Sequence, residues 1–226
     1  MLVYVATTNP GKLHELRELT AGSDLHLMVD ETYEAAPEGD TSYADNAAAK
    51  ARSLRASLLA RGIHAAVLAD DSGLEVAALN GQPGVLSARY GGEQLSWAER
   101  RALLVGELST ATDRSARFVC VLHFIDEHGA EFVAHASVEG SITLEDRGEQ
   151  GFSYDPIFWY PPLQRSFAEL RIREKNAVSH RAIAMSKLLI SLGDSEEREN
   201  MSTHEHWRDT VRINASHISS APEQNA

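Results

Sequence analysis

Apolar residues fall along this chain in two rhythms: short continuous runs closed by turn residues, and longer stretches with apolar side chains every third or fourth position. "LVYVATT" (2–8) is the first short run, and its β-branched and aromatic content predicts a buried strand. "NPGK" turns the chain, and Leu13, Leu16 and Leu19 predict a short helix. "LHLMV" (25–29) predicts a second strand, and the polar residues 30–42 a loop. Residues 43–61 predict the first long helix. Tyr43, Ala47, Leu54 and Leu58 share a stripe, Ser42 and Asp45 stand at capping-box spacing, and Gly62 supplies a stop. "AAVLA" (65–69) and "LEVAAL" (74–79) then predict two strands separated by "DDSG", with "NGQPG" as a turn.

The second half continues the mixture. "SWAERRALLVGEL" (96–108) opens with Ser96 and Glu99, again a capping-box pair. "ARFVCVLHFID" (116–126) is the strongest strand signal, and "EHG" turns it into "AEFVAHASVEGSIT", its antiparallel partner. A polar loop, 145–156, leads to "IFWY" and the stop "PP". "SHRAIAMSKLLISLG" (179–193) predicts a last helix, with Met185, Leu188, Leu189 and Leu192 on its buried stripe and Gly193 as its end. Strands, helices and one hairpin together predict an α/β protein with a mixed sheet. Residues 194–226 differ in composition, being polar and acidic, and read as a tail separate from a domain at 1–193.

Composition narrows the function classes. A formal net charge of −12 argues against general nucleic-acid binding, which favours a basic surface. A small anionic substrate is compatible with that charge if lysines, arginines, backbone N–H groups or a metal gather locally. The single cysteine, Cys120, sits in an apolar run; no intrachain disulfide can form, and a reducing compartment fits. No run approaches a membrane span, and the N-terminus lacks the charged-then-apolar pattern of a secretory signal, so the expected setting is cytoplasmic.

Four segments carry chemistry. "ATTNPGKLHEL" (6–16) joins a strand to a helix, where N–H groups and Lys12 could meet an anion. It is not a Walker A loop, since Ala6 and Leu13 stand where glycine and Ser or Thr are required; the plain reading is a turn with an exposed lysine. In "LADDSG", Asp70 and Asp71 are neighbours on an extended chain and point to opposite faces, so they do not share one site. With Glu38 upstream they suit Mg²⁺, while a strand end entering solvent explains the same composition. "GFSYDPIF" (151–158) offers Phe152 and Tyr154 as a stacking surface for a flat base and Asp155 as an acceptor, or merely two buried anchors. In "EKNAVSHRAIA" (174–184), Ser179 reads as an N-cap, which puts His180 and Arg181 in a first turn where cations oppose the helix dipole.

Together "TTNPGK", "EGDTSYADNAAAKAR", "LADDSGLEVAALNGQPGVLSARYGG", "GFSYDPIF" and "EKNAVSHRAIA" resemble the inosine triphosphate pyrophosphatase family, over roughly residues 2–193. The resemblance implies an elongated mixed β-sheet with flanking helices, two lobes around a cleft, and a homodimer. It implies Mg²⁺-dependent hydrolysis of non-standard purine nucleoside triphosphates (ITP, dITP, XTP, dXTP) to the monophosphate and pyrophosphate. By position, Thr7, Thr8, Asn9, Pro10, Gly11 and Lys12 resemble the triphosphate loop; Glu38 and Asp71 the metal carboxylates, with Asp71 the general base; and Ser72 a substrate contact. Phe152, Ser153, Tyr154 and Asp155 resemble the base loop, and Lys175, His180 and Arg181 the remaining substrate contacts.

Two departures stand out. Ser153 replaces the middle glycine of the usual "GFGYD", and Gln150 replaces another common glycine; if the first needs positive φ, Ser153 carries strain. Two other readings remain open from sequence. One is a related pyrophosphatase selecting modified pyrimidines or methylated nucleotides. The other is a nucleotide-binding module without turnover.

Overall fold

The computed structural model describes residues 1–196, with side chains through Gly193. Seven strands form one sheet: β1 (Leu2–Ala6), β2 (His26–Met28), β3 (Ala66–Val76), β4 (Ser115–Ile125), β5 (Glu131–Ile142), β6 (Phe158–Tyr160) and β7 (Arg165–Ser166). Their spatial order is β2-β1-β3-β4-β5-β6-β7. β2 and β3 flank β1 in parallel, and every later pairing is antiparallel. The helices are α1 (Pro10–Thr20), α2 (Tyr43–Ala60), α3 (Trp97–Glu107), α4 (Ile172–Asn176) and α5 (His180–Glu196).

Side chains alternate along β3, so the sheet sorts them by face. Leu68 joins Leu16 of α1 and Met185 and Leu188 of α5 in one core cluster. Leu74 and Val76, further along the same face, join Leu104 of α3, Phe118 and Phe158 in a second. Between these two clusters, on that face, stand Asp70 and Ser72. Val67 and Ala69 point the other way, into a cluster with Leu54 and Leu58 of α2. β1 ends where Ala6 pairs with Ala69. Beyond that point β3 has no strand beside it on that side until the isolated bridge Glu75↔Pro83, and Asp71 and Ser72, on opposite faces, both line one crevice there. This is the carboxyl end of β1 at the reversal of strand order, the usual ligand position in open α/β sheets.

The structure corrects several expectations. β3 is one uninterrupted strand through "DDSG", not two strands flanking it. Ten consecutive pairings with β4, Val67↔Ile125 to Val76↔Ala116, hold it straight, and such partners are invisible to a local pattern. The aspartates do not enter solvent: Asp70 is 1% exposed and Asp71 5%. β1 stops at Ala6 rather than residue 8, and Ala77–Leu79 form a single 3-10 turn. Gly193 does not end α5, which continues to Glu196; it is not among the left-handed glycines, and a right-handed glycine lowers helix stability without breaking it. The Ser96–Glu99 capping box closes in both directions. The tail assigned to 194–226 lies, after Glu196, outside the described residues. No helix among the described residues is long and apolar enough to cross a membrane.

Candidate active site

The loop after β1 is self-contained. Asn9 caps α1, its Oδ1 accepting the N–H groups of Gly11 at 2.9 Å and Lys12 at 3.2 Å. The Thr7 hydroxyl accepts the Asn9 N–H at 3.1 Å, and Pro10 has no N–H. The N–H groups of Asn9, Gly11 and Lys12 are therefore already bonded within the turn. What this turn offers is side chains: Asn9 and Lys12 line the crevice, while Thr8 and Pro10 are exposed. Gly11 has another use. A Cβ there would stand 2.7 Å from the Phe152 ring, so the bare glycine lets that ring lie on the first turn of α1.

The two aspartates have different partners, as their alternation requires. Asp70 ion-pairs with Lys12, and its Oδ2 accepts from Arg181 Nε at 2.9 Å. Burial works against its charge, but Arg181 and Lys12 hold its carboxyl well below the usual range. Asp71 accepts from Lys50 Nζ at 2.6 Å and from the Asn46 amide at 3.2 Å. Burial pushes its pKa above the ordinary value, with Lys50 and Lys12 opposing. Lys50 also binds Glu38 Oε1 at 2.7 Å, so one ammonium gathers both carboxylates expected to hold a metal. This donor set suits Mg²⁺, which takes oxygen ligands and commonly combines one or two carboxylates with substrate phosphates and water. No group of three or more His, Cys, Asp or Glu among the described residues could hold a metal unaided, so phosphates and water would complete the shell.

Gly73 sets the crevice wall. A Cβ on it would fall 2.3 Å from the Gly84 carbonyl oxygen and 2.6 Å from Ser87 Oγ. Its absence seats the 84–87 turn on β3, where Ser87 Oγ accepts the Leu74 N–H at 2.8 Å. Tyr154 is fully buried, and its hydroxyl donates to the Ser87 carbonyl at 3.0 Å. It lines the crevice but acts as a buried anchor, not as an open stacking face. Phe152 is half-buried, with Lys175 Nζ 4.9 Å from its ring centroid. Asp155 Oδ2 accepts the Phe152 N–H at 2.7 Å and also receives Lys175. Ser153 has φ +61°, the left-handed region, at about 1–2 kcal/mol for a residue with a Cβ. Gln150 is not in that region, so its replacement of glycine carries no such strain.

α5 and α4 complete the site. Ser179 caps α5 through the Ala182 N–H at 3.2 Å. Arg181 is 1% exposed and almost fully engaged, with Nε on Asp70, Nη1 on Glu15 and Nη2 on the Ser72 hydroxyl. Lys175 bridges Glu15 and Asp155. His180 stacks on Phe118 at 4.7 Å between centroids, and its buried Nδ1 has no partner. Burial, then Arg181 and Lys175, push its pKa well below the usual value, so the ring is neutral. The crevice holds a cavity of about 60 Å³ lined by Lys12, Glu38, Asp71, Ser72 and the 152–155 loop, with Lys175, His180 and Arg181.

Sequence reasoning missed Lys50, Glu15, Asn46 and Trp97. Lys50 left a signal: it sits on the stripe of Ala47, Ala51 and Leu54, where a charge must be paired. Glu15, adjoining buried Leu16, left a fainter one.

The profile of the Ham1 family matches residues 3–190. The chain belongs to that family. The dITP/XTP pyrophosphatase of Exiguobacterium sp. (strain ATCC BAA-1283 / AT1b) is 43% identical over 193 residues, covering 83% of this chain and 95% of its own. The Ham1 protein of Staphylococcus aureus superposes with a TM-score of 0.74 at 34% identity, over 86% of this chain and 100% of its own. A HAM1 protein from Coxiella burnetii gives 0.72 at 38% identity, over 86% and 99%. The mixed sheet with flanking helices is thus the Ham1 fold, as the motifs implied.

Proposed function

We propose that this Ham1-family chain is a nucleoside-triphosphate pyrophosphatase that hydrolyses ITP, dITP, XTP and dXTP to the monophosphate and pyrophosphate. One observation carries the reading: Asp71 and Glu38 are gathered on Lys50 in a crevice that also holds Lys12 and a neutral, partly unpartnered His180. The name of the Exiguobacterium relative supports the substrate class.

Lys12, which lines the crevice, opposes the charge of the triphosphate, the main need of phosphoanhydride hydrolysis, while Lys50 offsets the charges of Glu38 and Asp71. Mg²⁺, held by Glu38 and Asp71, would supply further charge neutralisation when bound. Asp71, its basicity raised by burial, takes a proton from the attacking water. His180, whose ring nitrogen Nδ1 has no partner in the protein, is the group placed to offer a donor to the 6-oxo group of hypoxanthine or xanthine, with Arg181 and Ser72 already bonded to each other and to Asp70 beside it. Adenine's amino group leaves such a donor unpaired, an effective basis for rejection. The substrate is a small nucleotide, with neither a nucleic acid nor a membrane as partner, and we read the working form as a cytoplasmic homodimer.

The test is a nucleotide panel with Mg²⁺, scored for pyrophosphate. Release from ITP, dITP and XTP far faster than from ATP or GTP supports the reading. Orthophosphate as first product, or binding without turnover, rejects it.

A further inference from the structure

Helix α3 lies beside the base loop and touches it twice. Arg101 Nη1 donates to the Ser153 carbonyl at 2.9 Å. The rest of its guanidinium forks onto Asp146, with Nε 3.0 Å from both carboxylate oxygens and Nη2 2.6 Å from Oδ2. Trp97, one helical turn earlier and so on the same face, lines the cavity. Its ring meets Tyr154 edge-on, with centroids 5.5 Å apart. Two successive loop residues are therefore gripped by one helix face. That face is itself fixed: the capping box starts α3, and Arg100 lies 5.4 Å over the Trp97 ring while bonding the carbonyls of Tyr90, Gly92 and Leu95.

The gripped residue is the strained one. Ser153 is one of three described non-glycine residues with positive φ, and the only one of these that lines the cavity. Asn80 and Gln164 merely end 3-10 turns. A serine reaches this conformation only if its surroundings hold it there. The 152–155 bonds pin the loop ends, but the Ser153 carbonyl depends on Arg101.

We propose that Arg101, aligned with Trp97, is a positioning residue that holds the Ser153 peptide in its left-handed turn and so sets the base pocket. The brace does for serine what glycine's freedom does elsewhere. The proposal rests on the pyrophosphatase reading only for its kinetic readout.

The experiment compares wild type, Arg101→Leu, Ser153→Gly and the double variant. It measures ITP hydrolysis and amide hydrogen exchange across 147–157. Arg101→Leu is expected to raise KM about tenfold with kcat within about twofold, and to speed exchange at 152–154. Arg101→Lys, which cannot keep fork and carbonyl together, is expected to fall between. Adding Ser153→Gly to Arg101→Leu is expected to return KM to within about twofold of Ser153→Gly alone, because glycine enters the turn without strain. Unchanged KM and exchange in Arg101→Leu, or no rescue by Ser153→Gly, overturns the brace. If the wild type releases no pyrophosphate, the functional reading fails, while the exchange comparison still decides the brace.

Discussion

Asp70 and Asp71 are neighbours on β3, yet their carboxylates answer to different cations on opposite faces of the sheet: Asp70 to Arg181 and Lys12, Asp71 to Lys50. The sheet separates two negative charges that adjacency alone would force together. Substitution should therefore separate two roles. Asp70→Asn leaves the buried Arg181 with Glu15 as its one carboxylate and Lys12 without its ion pair, and is expected to cost about 3 kcal/mol of stability, seen as a lower denaturant midpoint. Asp71→Asn should leave the midpoint much closer to wild type and reduce turnover by about 10³-fold. Near-normal turnover would remove Asp71 from the chemistry.

Lys50 ties α2 to both site carboxylates and to the Asp70 carbonyl at 3.0 Å. Lys50→Met keeps the stem and deletes the charge. The expected result is a loss of about 10²-fold or more in kcat, from placing Asp71 and Glu38 without their common cation. Retained turnover with retained fold, followed by circular dichroism, would make Lys50 a structural pair only.

The atom nearest a Cβ on Gly73 is backbone, the Gly84 carbonyl oxygen at 2.3 Å, with the Ser87 and Tyr43 hydroxyls at 2.6 and 2.8 Å beside it. Gly73→Ala is expected to push the 84–87 turn off β3 and lose at least about 1–3 kcal/mol, with the Ser87–Leu74 bond broken. Gly22 has nothing within 4 Å of its Cβ position and serves as the control, its alanine variant staying close to wild type in thermal unfolding.

His180 gives a pH dependence with a definite sign. Its folded pKa is depressed by burial and by Arg181 and Lys175, with Lys12 adding and Asp70 opposing. Below the ordinary value of 6.5 the unfolded chain takes up a proton that the folded ring refuses. Stability contributed by the neutral ring is thus full above 6.5 and falls as pH drops, by up to about 1.4 kcal/mol per pH unit. His180→Gln should flatten urea-unfolding stability between pH 6.5 and 5 relative to wild type. Equal slopes would mean that His180 protonates in the fold.

Most helices and strands were legible because their causes are local. The Ser96–Glu99 box, the Leu54–Leu58 stripe and the 116–126 run each carry their own periodicity or cap. The break expected at "DDSG" failed for the opposite reason: residues far along the chain, in β4 and the 84–87 turn, keep β3 extended there. Within the site, the motif string picked out Lys12, Asp71, His180 and Arg181, all of which line the crevice. The expected free N–H groups of the first loop were not legible as occupied, because Asn9's rotamer decides that.

By itself the sequence determined the family, the alternation that sends Asp70 and Asp71 apart, and the departure at Ser153. Each follows from residue identity or from the two-residue period of a strand. Only the tertiary structure decided which cation each aspartate meets, that Lys50 gathers Glu38 with Asp71, that Arg181 is spent on Glu15 and Asp70, and that Arg101 holds Ser153. Those pairings join residues from 12 to 166 positions apart. A buried charge selects its partner by proximity in the folded state, and no local pattern carries that information.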